Sequence, residues 1–556
     1  MLFLGLHAWD VVVIALYFIG IIFIGSLASR RVKNTTDFFL GGRRFGKMLS
    51  IAQSFGTGTN VAQLILVAGA AFQLGLSGIW YQWYWLFLTP FFWLIAPIYR
   101  RLRYVTMADF FENRFGPVLG KSYTLLGLTY IVVNSGMMLK SVAITVEGVT
   151  SGTISQDVSI YLVAALVMIY GISGGLIAAA VTDVVQGLLT IVFSLILVPL
   201  AISHFGGLHA LHQHLSPDMF RLFASEEVTP FFLIATTANG LVSVVVYPHH
   251  MAMLGSAKDE QTARIGWVGG MLIKRFITIG WVFIGVFCAI LFPWLVSGSR
   301  DLAFGLFIRQ LIPVGLLGFV VAALLAAVMS TCDAFMISGA ALVMKNLPVP
   351  EKVNAWKGMH SLLSARLVTL FVLGCSVLFA LYIPSLVEGQ KVLWRAMALF
   401  GVPFWMGLLW RRANAAGAMA SIISALAVIF ITGHTWGLGL NWPIEKQIVL
   451  YLPVGFLAMV FGSVWLPGQI KNVEKNFWLR LYPLTNLNLV ASRESSRKRA
   501  AGDVHKSARQ SGLLLLDIFH IPGNQWKKYT RELFAFVLLC VIVVLLVVLL
   551  KLLAIA

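Results

Sequence analysis

The chain has 556 residues, of which 59% are hydrophobic and only 11% charged, and its mean hydropathy is +0.87. So apolar a composition excludes a soluble enzyme or signalling domain and places the chain in a membrane. The net charge of +19 is not a nucleic-acid signal, because the basic residues sit at the ends of apolar runs rather than in one patch.

Fourteen runs are long and apolar enough to span a bilayer: 9–29, 48–73, 77–98, 119–143, 157–176, 178–203, 230–253, 266–297, 302–344, 362–386, 390–411, 413–432, 446–467 and 531–555. The fold class is therefore an all-α polytopic membrane protein. Most of the 41 Lys and Arg fall in alternate loops and the helix ends beside them, Lys258, Arg264, Lys274 and Arg275 forming one such group. By the positive-inside rule both termini lie outside and the basic loops in the cytoplasm, as expected of a multi-pass protein of the cell membrane. The lipid bilayer is then a partner and nucleic acid is not.

The first run lacks a basic n-region and a small-residue cleavage site, so it reads as a retained helix. The second contains Ser-Phe-Gly-Thr-Gly-Thr-Asn at 54–60. Two glycines and four hydroxyl or amide side chains in mid-membrane predict an unwound stretch, allowed only where it lines a cavity or is buried in protein. In the third run Trp80, Tyr81 and Trp83 flank Gln82, as an aromatic wall to a site or as an interfacial belt. The fourth carries Lys140, with Glu147 two turns on. Lys140 either snorkels to the outer surface or faces a cavity, and then asks for a carboxylate on a bound solute. The seventh run reads Ala-Thr-Thr-Ala-Asn-Gly at 235–240, with Tyr247-Pro248 further in, and is expected to be broken as the second is. Broken helices at corresponding places in two halves point to an inverted-repeat transporter with its site at the midplane.

The ninth run holds a short outer helix and then a spanning one that contains Ala-Ala-Val-Met-Ser-Thr-Cys-Asp at 326–333. Ala327, Ser330 and Thr331 share a face. A carbonyl and two hydroxyls there either replace the water around a small hard cation or bond within and between helices. Cys288, Cys332, Cys375 and Cys540 all fall within runs and read as free packing thiols. Four histidines, His204, His209, His212 and His214, share an outer loop without a supporting carboxylate pattern, and no phosphate loop or nucleophile elbow occurs, so no enzymatic activity is expected. Residues 1–467 form the transporter domain, with core repeats near 48–203 and 230–411. A basic cytoplasmic linker follows at 468–530, and then a peripheral helix at 531–556.

Four motifs occur in order: Phe38-Phe39-Leu40-Gly41-Gly42-Arg43; Gly174-Gly175-Leu176 leading to Thr182-Asp183-Val184-Val185-Gln186; Ala326 to Asp333; and Trp410-Arg411-Arg412-Ala413-Asn414 with Gly417. Over residues 8–470 this set resembles the solute:sodium symporter family, and the last helix fits its fourteen-helix sugar-transporting branch. The resemblance implies a LeuT-type core of 5+5 inverted repeats within 14 transmembrane helices. It implies Na⁺ as coupling ion, held by the carbonyls of Gly56, Thr59 and Ala327 and the hydroxyls of Ser330 and Thr331. No acidic side chain stands near Gly58 to help hold a second cation. Asp183 and Asp333 are implied to influence cation binding and release. Matching to the sugar branch places Gln63, Gln82, Lys274 and Gln390 on solute-contacting positions, with Tyr81 beside Gln82. His249 falls where that branch has a gating aromatic; the other reading is a packing histidine. The function implied is symport of Na⁺ with a small polar solute, most readily a sugar or sugar derivative. A carboxylate-bearing solute, a proton-coupled carrier and a transporter-like sensor are the alternatives, and the oligomeric state stays open.

Overall fold

The structure is a computed structural model that describes residues 2–3, 6–29, 40–205, 207, 209–223, 227–295, 301–346, 359–383, 385–433, 440, 442–466, 477 and 529–555. The predicted linker at 468–530 lies outside the described residues apart from Phe477, Tyr529 and Thr530. The described residues are almost all helical, apart from one short antiparallel pair, Leu2–Phe3 with Leu6–His7. Helix α1 is Ala8–Ser29, α2 Lys47–Gly58, α3 Val61–Leu74, α4 Trp80–Leu102, α5 Ala108–Phe115, α6 Pro117–Val149 and α7 Gln156–Phe205. Then come α8 Pro230–Ser243, α9 Pro248–Gly255, α10 Glu260–Leu291, α11 Ala303–Leu311, α12 Leu316–Asn346, α13 Met359–Tyr382, α14 Leu386–Leu409, α15 Ala415–Thr432, α16 Ile444–Trp465 and α17 Thr530–Ile555. Among the described residues ten helices are long and apolar enough to cross a membrane, or eleven with one bent pair. The fifth and sixth predicted runs fall together in α7.

Contacts along α10 show how the chain is laid out. Gly266, Gly270 and Gly285 meet Ser50, Phe55 and Ala68 in turn, so α10 runs parallel to α2 and α3. Arg275, Trp267 and Arg264 meet Trp83, Phe92 and Trp93, so α10 runs antiparallel to α4. The second and third predicted runs are therefore separate crossings in opposite directions. Gly75 makes the reversal, with φ +61°. In lipid, helices associate through close packing rather than through a hydrophobic drive, which favours small residues at crossings. At Gly270 the approach is tight enough that a Cβ would come within 2.6 Å of the Phe55 nitrogen.

The second run breaks at a narrower place than its composition suggests. It is helical through Gly58, and only Thr59 and Asn60 are extended. The Asn60 side chain accepts from the Gln63 amide at 2.9 Å and starts α3. Ser54, inside the stretch expected to unwind, donates to the Trp267 carbonyl at 3.4 Å and stays helical. In the seventh run the polar stretch 235–240 lies within α8, and the chain breaks further in, at the proline expected to favour a kink. The break is at Tyr247-Pro248, with a bend of 61° between the two halves. Proline lacks the N–H that a continuous helix needs and suits the first position of a new one.

The basic ends of these broken runs are tied by main chain. The Phe45 amide donates to the Ser256 carbonyl at 3.0 Å, and the Lys258 amide donates to the Phe45 carbonyl at 3.1 Å. Arg43 donates to the carbonyls of Arg103 and Tyr104 at 2.9 and 3.3 Å beside this bridge. Burial and the neighbouring Arg100 and Arg103 hold its pKa down to about 10, so it remains charged at neutral pH. Helix α17 packs on α4, anchored by Glu532 3.6 Å from Arg264. Its exposed apolar side chains include Phe534, Val541 and Leu552.

Candidate cation and solute site

Helix α12 passes the break between α2 and α3. The Thr331 hydroxyl lies 2.9 Å from the Gly56 carbonyl oxygen, 3.1 Å from that of Ala327 and 3.3 Å from that of Thr59. All four residues are buried. A hydroxyl has one proton and can donate to only one of these carbonyls. Four neutral oxygens facing one point are a donor set for a small hard cation. The side chains of Ser330 and Asp333 lie outside the described residues, so four of the five oxygens expected from the sequence are seen to converge. Asp183 is buried on α7, which packs against α2 and α12.

Next to this cluster lies a cavity lined by Gln63, Gln82, His249, Lys274 and Gln390, five of the seven residues expected to touch solute. Lys274 donates to the Gly58 carbonyl at 2.5 Å and to the Gln63 side-chain oxygen. Its ammonium thus sits on the last carbonyl of α2, where the helix dipole favours a positive charge. His249 stacks on Tyr130, with its ring 4.7 Å from Phe335. Tyr81 does not line the cavity; its ring packs 5.7 Å from Phe232. Trp80 and Trp83 are likewise turned away, their indole N–H groups donating to the carbonyls of Leu222 and Arg275. The aromatic wall is built instead from Trp85, Phe92, Tyr130, Tyr247, Trp267 and Phe335. Lys140 does not line the cavity either, and Glu147 accepts from Gln156 at 2.5 Å.

One charged lining residue was not expected. Arg275 follows Lys274, and sequence reading grouped both with the basic helix ends. They stand 14 and 15 residues into α10, which at 1.5 Å per residue is about 20 Å from its basic end. Neither belongs to a loop. The signal was present in the sequence: the pair is flanked by apolar residues on both sides within run 266–297.

Two broken helices that meet a polar cavity and an oxygen cluster in mid-membrane are the build of an ion-coupled secondary carrier. The model of the sodium:solute symporter family matches residues 38–425, and the chain belongs to that family. It is therefore a membrane transporter and not an enzyme, and Na⁺ is its coupling ion. The chain is 27% identical to an osmoregulated proline transporter of Bacillus subtilis, over 82% of this chain and 94% of the relative. It is 24% identical to the human sodium/myo-inositol cotransporter, over 74% of this chain and 64% of that protein. Among solved structures it resembles a substrate-bound, outward-open Na⁺-coupled sialic acid symporter with a TM-score of 0.70 at 19% identity, over 83% of this chain and 99% of the other.

Proposed function

We propose that this chain imports a small polar organic solute together with Na⁺ by alternating access. The observation that carries the cation assignment is the convergence of the Gly56, Thr59 and Ala327 carbonyls on the Thr331 hydroxyl, at the break of a spanning helix. In this reading Ser330 completes the ligand set, and Asp183 and Asp333 bias cation entry and exit. Sodium bound there draws α12 onto both sides of the Thr59-Asn60 break and favours the state open to the outside. Solute then occupies the adjoining cavity. Release inward requires parting of the main-chain bridge between Phe45 and residues 256–258. Residues 48–203 and 230–411 act as inverted repeats that rock against each other, with the basic ends in the cytoplasm and both termini outside. Residues 468–530 are a linker, and α17 rides on the lipid-facing side.

The amides of Gln82 and Gln390 both donate and accept, and the rings of Trp85, Tyr247 and Trp267 offer flat apolar faces. That combination suits a sugar or sugar derivative. The test is solute uptake into proteoliposomes with and without a Na⁺ gradient. Thr331→Ala, which removes one of the converging oxygens, should raise the Na⁺ half-saturation by about tenfold, roughly the effect of losing one well-placed polar contact. Solute selectivity should not change. Unaltered Na⁺ half-saturation in both Thr331→Ala and Ser330→Ala would sink the site, and Na⁺-dependent binding without any flux would make the chain a sensor.

A further inference from the structure

The two neighbouring cations of the cavity differ in one respect. Lys274 has two oxygen acceptors, the Gly58 carbonyl and the Gln63 side chain. Arg275 has none among the described residues. Its Nε and Nη1 are buried without a partner, and Nη2 reaches only the Met271 sulfur, at 4.0 Å. A thioether is a weak acceptor and carries no charge. Arg275 is 1% exposed, so water does not solvate it from outside the protein. No Asp or Glu lines the cavity, and neither cation has a carboxylate partner among the described residues. A guanidinium in mid-membrane without a counter-ion is expensive, and such residues mark substrate pathways.

From this we infer that the transported solute is a monoanion bearing a carboxylate, and that Arg275 is its receptor. The inference rests on the reading of this cavity as the solute site. One cation is already met by neutral oxygens and one is not, so the solute supplies a single negative charge. A guanidinium matches a carboxylate in geometry as well as charge. Gln82 adds a second requirement. Its Oε1 is also buried without a donor, and an O–H or N–H on the solute would satisfy it. A hydroxy acid or a sugar acid fits both groups.

The experiment uses matched probes on the purified full chain, with thermal stability and equilibrium binding as readouts, in Na⁺ and in K⁺. The pairs are acetate and acetamide, lactate and lactamide, glucuronate and glucose, and N-acetylneuraminate and N-acetylmannosamine, with inorganic phosphate alongside. The expected result is Na⁺-dependent stabilisation by one or more carboxylates and not by the neutral partner. Arg275→Gln should weaken that carboxylate by about 30-fold or more, the loss typical of truncating one side of a buried charge pair. Arg275→Lys should restore part of it, since the charge is kept and the planar fork is lost.

A purely structural arginine predicts that Arg275→Gln and Arg275→Met both melt well below the wild type without solute. A receptor lacking an internal counter-ion predicts that the solute-free variants melt no lower, and this readout needs no knowledge of the natural solute. The inference is overturned if a neutral probe binds as well as its carboxylate partner. It is equally overturned if phosphate replaces the carboxylates, if no carboxylate stabilises the wild type, or if both variants collapse. A neutral, Na⁺-dependent solute unaffected by Arg275→Gln would leave sodium symport standing. Failure of Na⁺ alone to stabilise the wild type would instead remove the cation assignment, whatever Arg275 does.

Discussion

Thr331 and Lys274 meet at one helix break, and Arg275 follows Lys274 on α10. The Thr331 hydroxyl faces the carbonyls of Gly56 and Thr59, while the Lys274 ammonium sits on the carbonyl of Gly58 between them in sequence. A sodium ion at Thr331 therefore binds beside one fixed positive charge, with a second on the next residue of α10. Like charges in a protein interior repel over several ångströms, by about 1–2 kcal/mol at ~10 Å with an effective dielectric near 20. Arg275→Gln should accordingly tighten Na⁺ binding in the solute-free protein, roughly five- to thirtyfold, read from a Na⁺ titration of tryptophan fluorescence. Unchanged or weaker binding would show that the guanidinium does not bear on the cation. The oxygens proposed as sodium ligands can be picked out in the sequence because three of them lie one turn apart on a single helix and the others in a glycine-rich interruption. Arg275 was missed because counting basic residues toward topology absorbs any charge near a run's start, and only its depth within the run distinguishes it.

The broken helices teach a different lesson. Polar composition located both interrupted runs and the proline marked the kink of the seventh, but within 54–60 composition did not single out Thr59 and Asn60 as the residues that break. In 54–58 the polar side chains find partners while the backbone stays helical, as Ser54 does on Trp267. At 235–240 Thr236 bonds back to the Phe232 carbonyl at 2.7 Å and Asn239 donates to that of Trp394. Pro248, lacking an N–H, leaves no such choice. The bridge at the basic ends was not legible at all, since main-chain bonds between Phe45 and residues 256–258 leave no side-chain signature. It follows that side-chain changes there should be mild and proline should not. Lys258→Pro removes one donor of the bridge and should expose a Ser50→Cys reporter to a thiol reagent added from the basic side. Lys258→Ala, which keeps the N–H, should not. Equal labelling in the two variants would show that the bridge does not close this end.

For the molecule as a whole, the cation and the solute charge are coupled through the same electrostatic balance. A carboxylate on Arg275 lowers the positive potential that Na⁺ meets, and Na⁺ favours the carboxylate in return by the same factor. Binding of either ligand alone is then weaker than binding of both, which is what a symporter requires if it is not to leak. Sequence made the helical membrane class and the order of the runs legible, since these depend on composition. The alternation of runs and basic loops also gave the relative direction of the crossings, and the contacts along α10 agree with it; the contacts themselves, between residues more than a hundred positions apart, were not legible.

The pair of cations on α10 also bears on the electrical behaviour of transport. Both are fixed to the protein and return with it, so they add nothing to the charge moved per cycle. If one Na⁺ accompanies one monoanion, a full cycle transfers no net charge. Membrane voltage then supplies no driving force, and accumulation is limited by the ratio of sodium concentrations alone. Uptake into proteoliposomes should be indifferent to an imposed potassium diffusion potential. Acceleration by an inside-negative potential would mean that more Na⁺ travels than the solute carries negative charge, through either a second Na⁺ or a neutral solute.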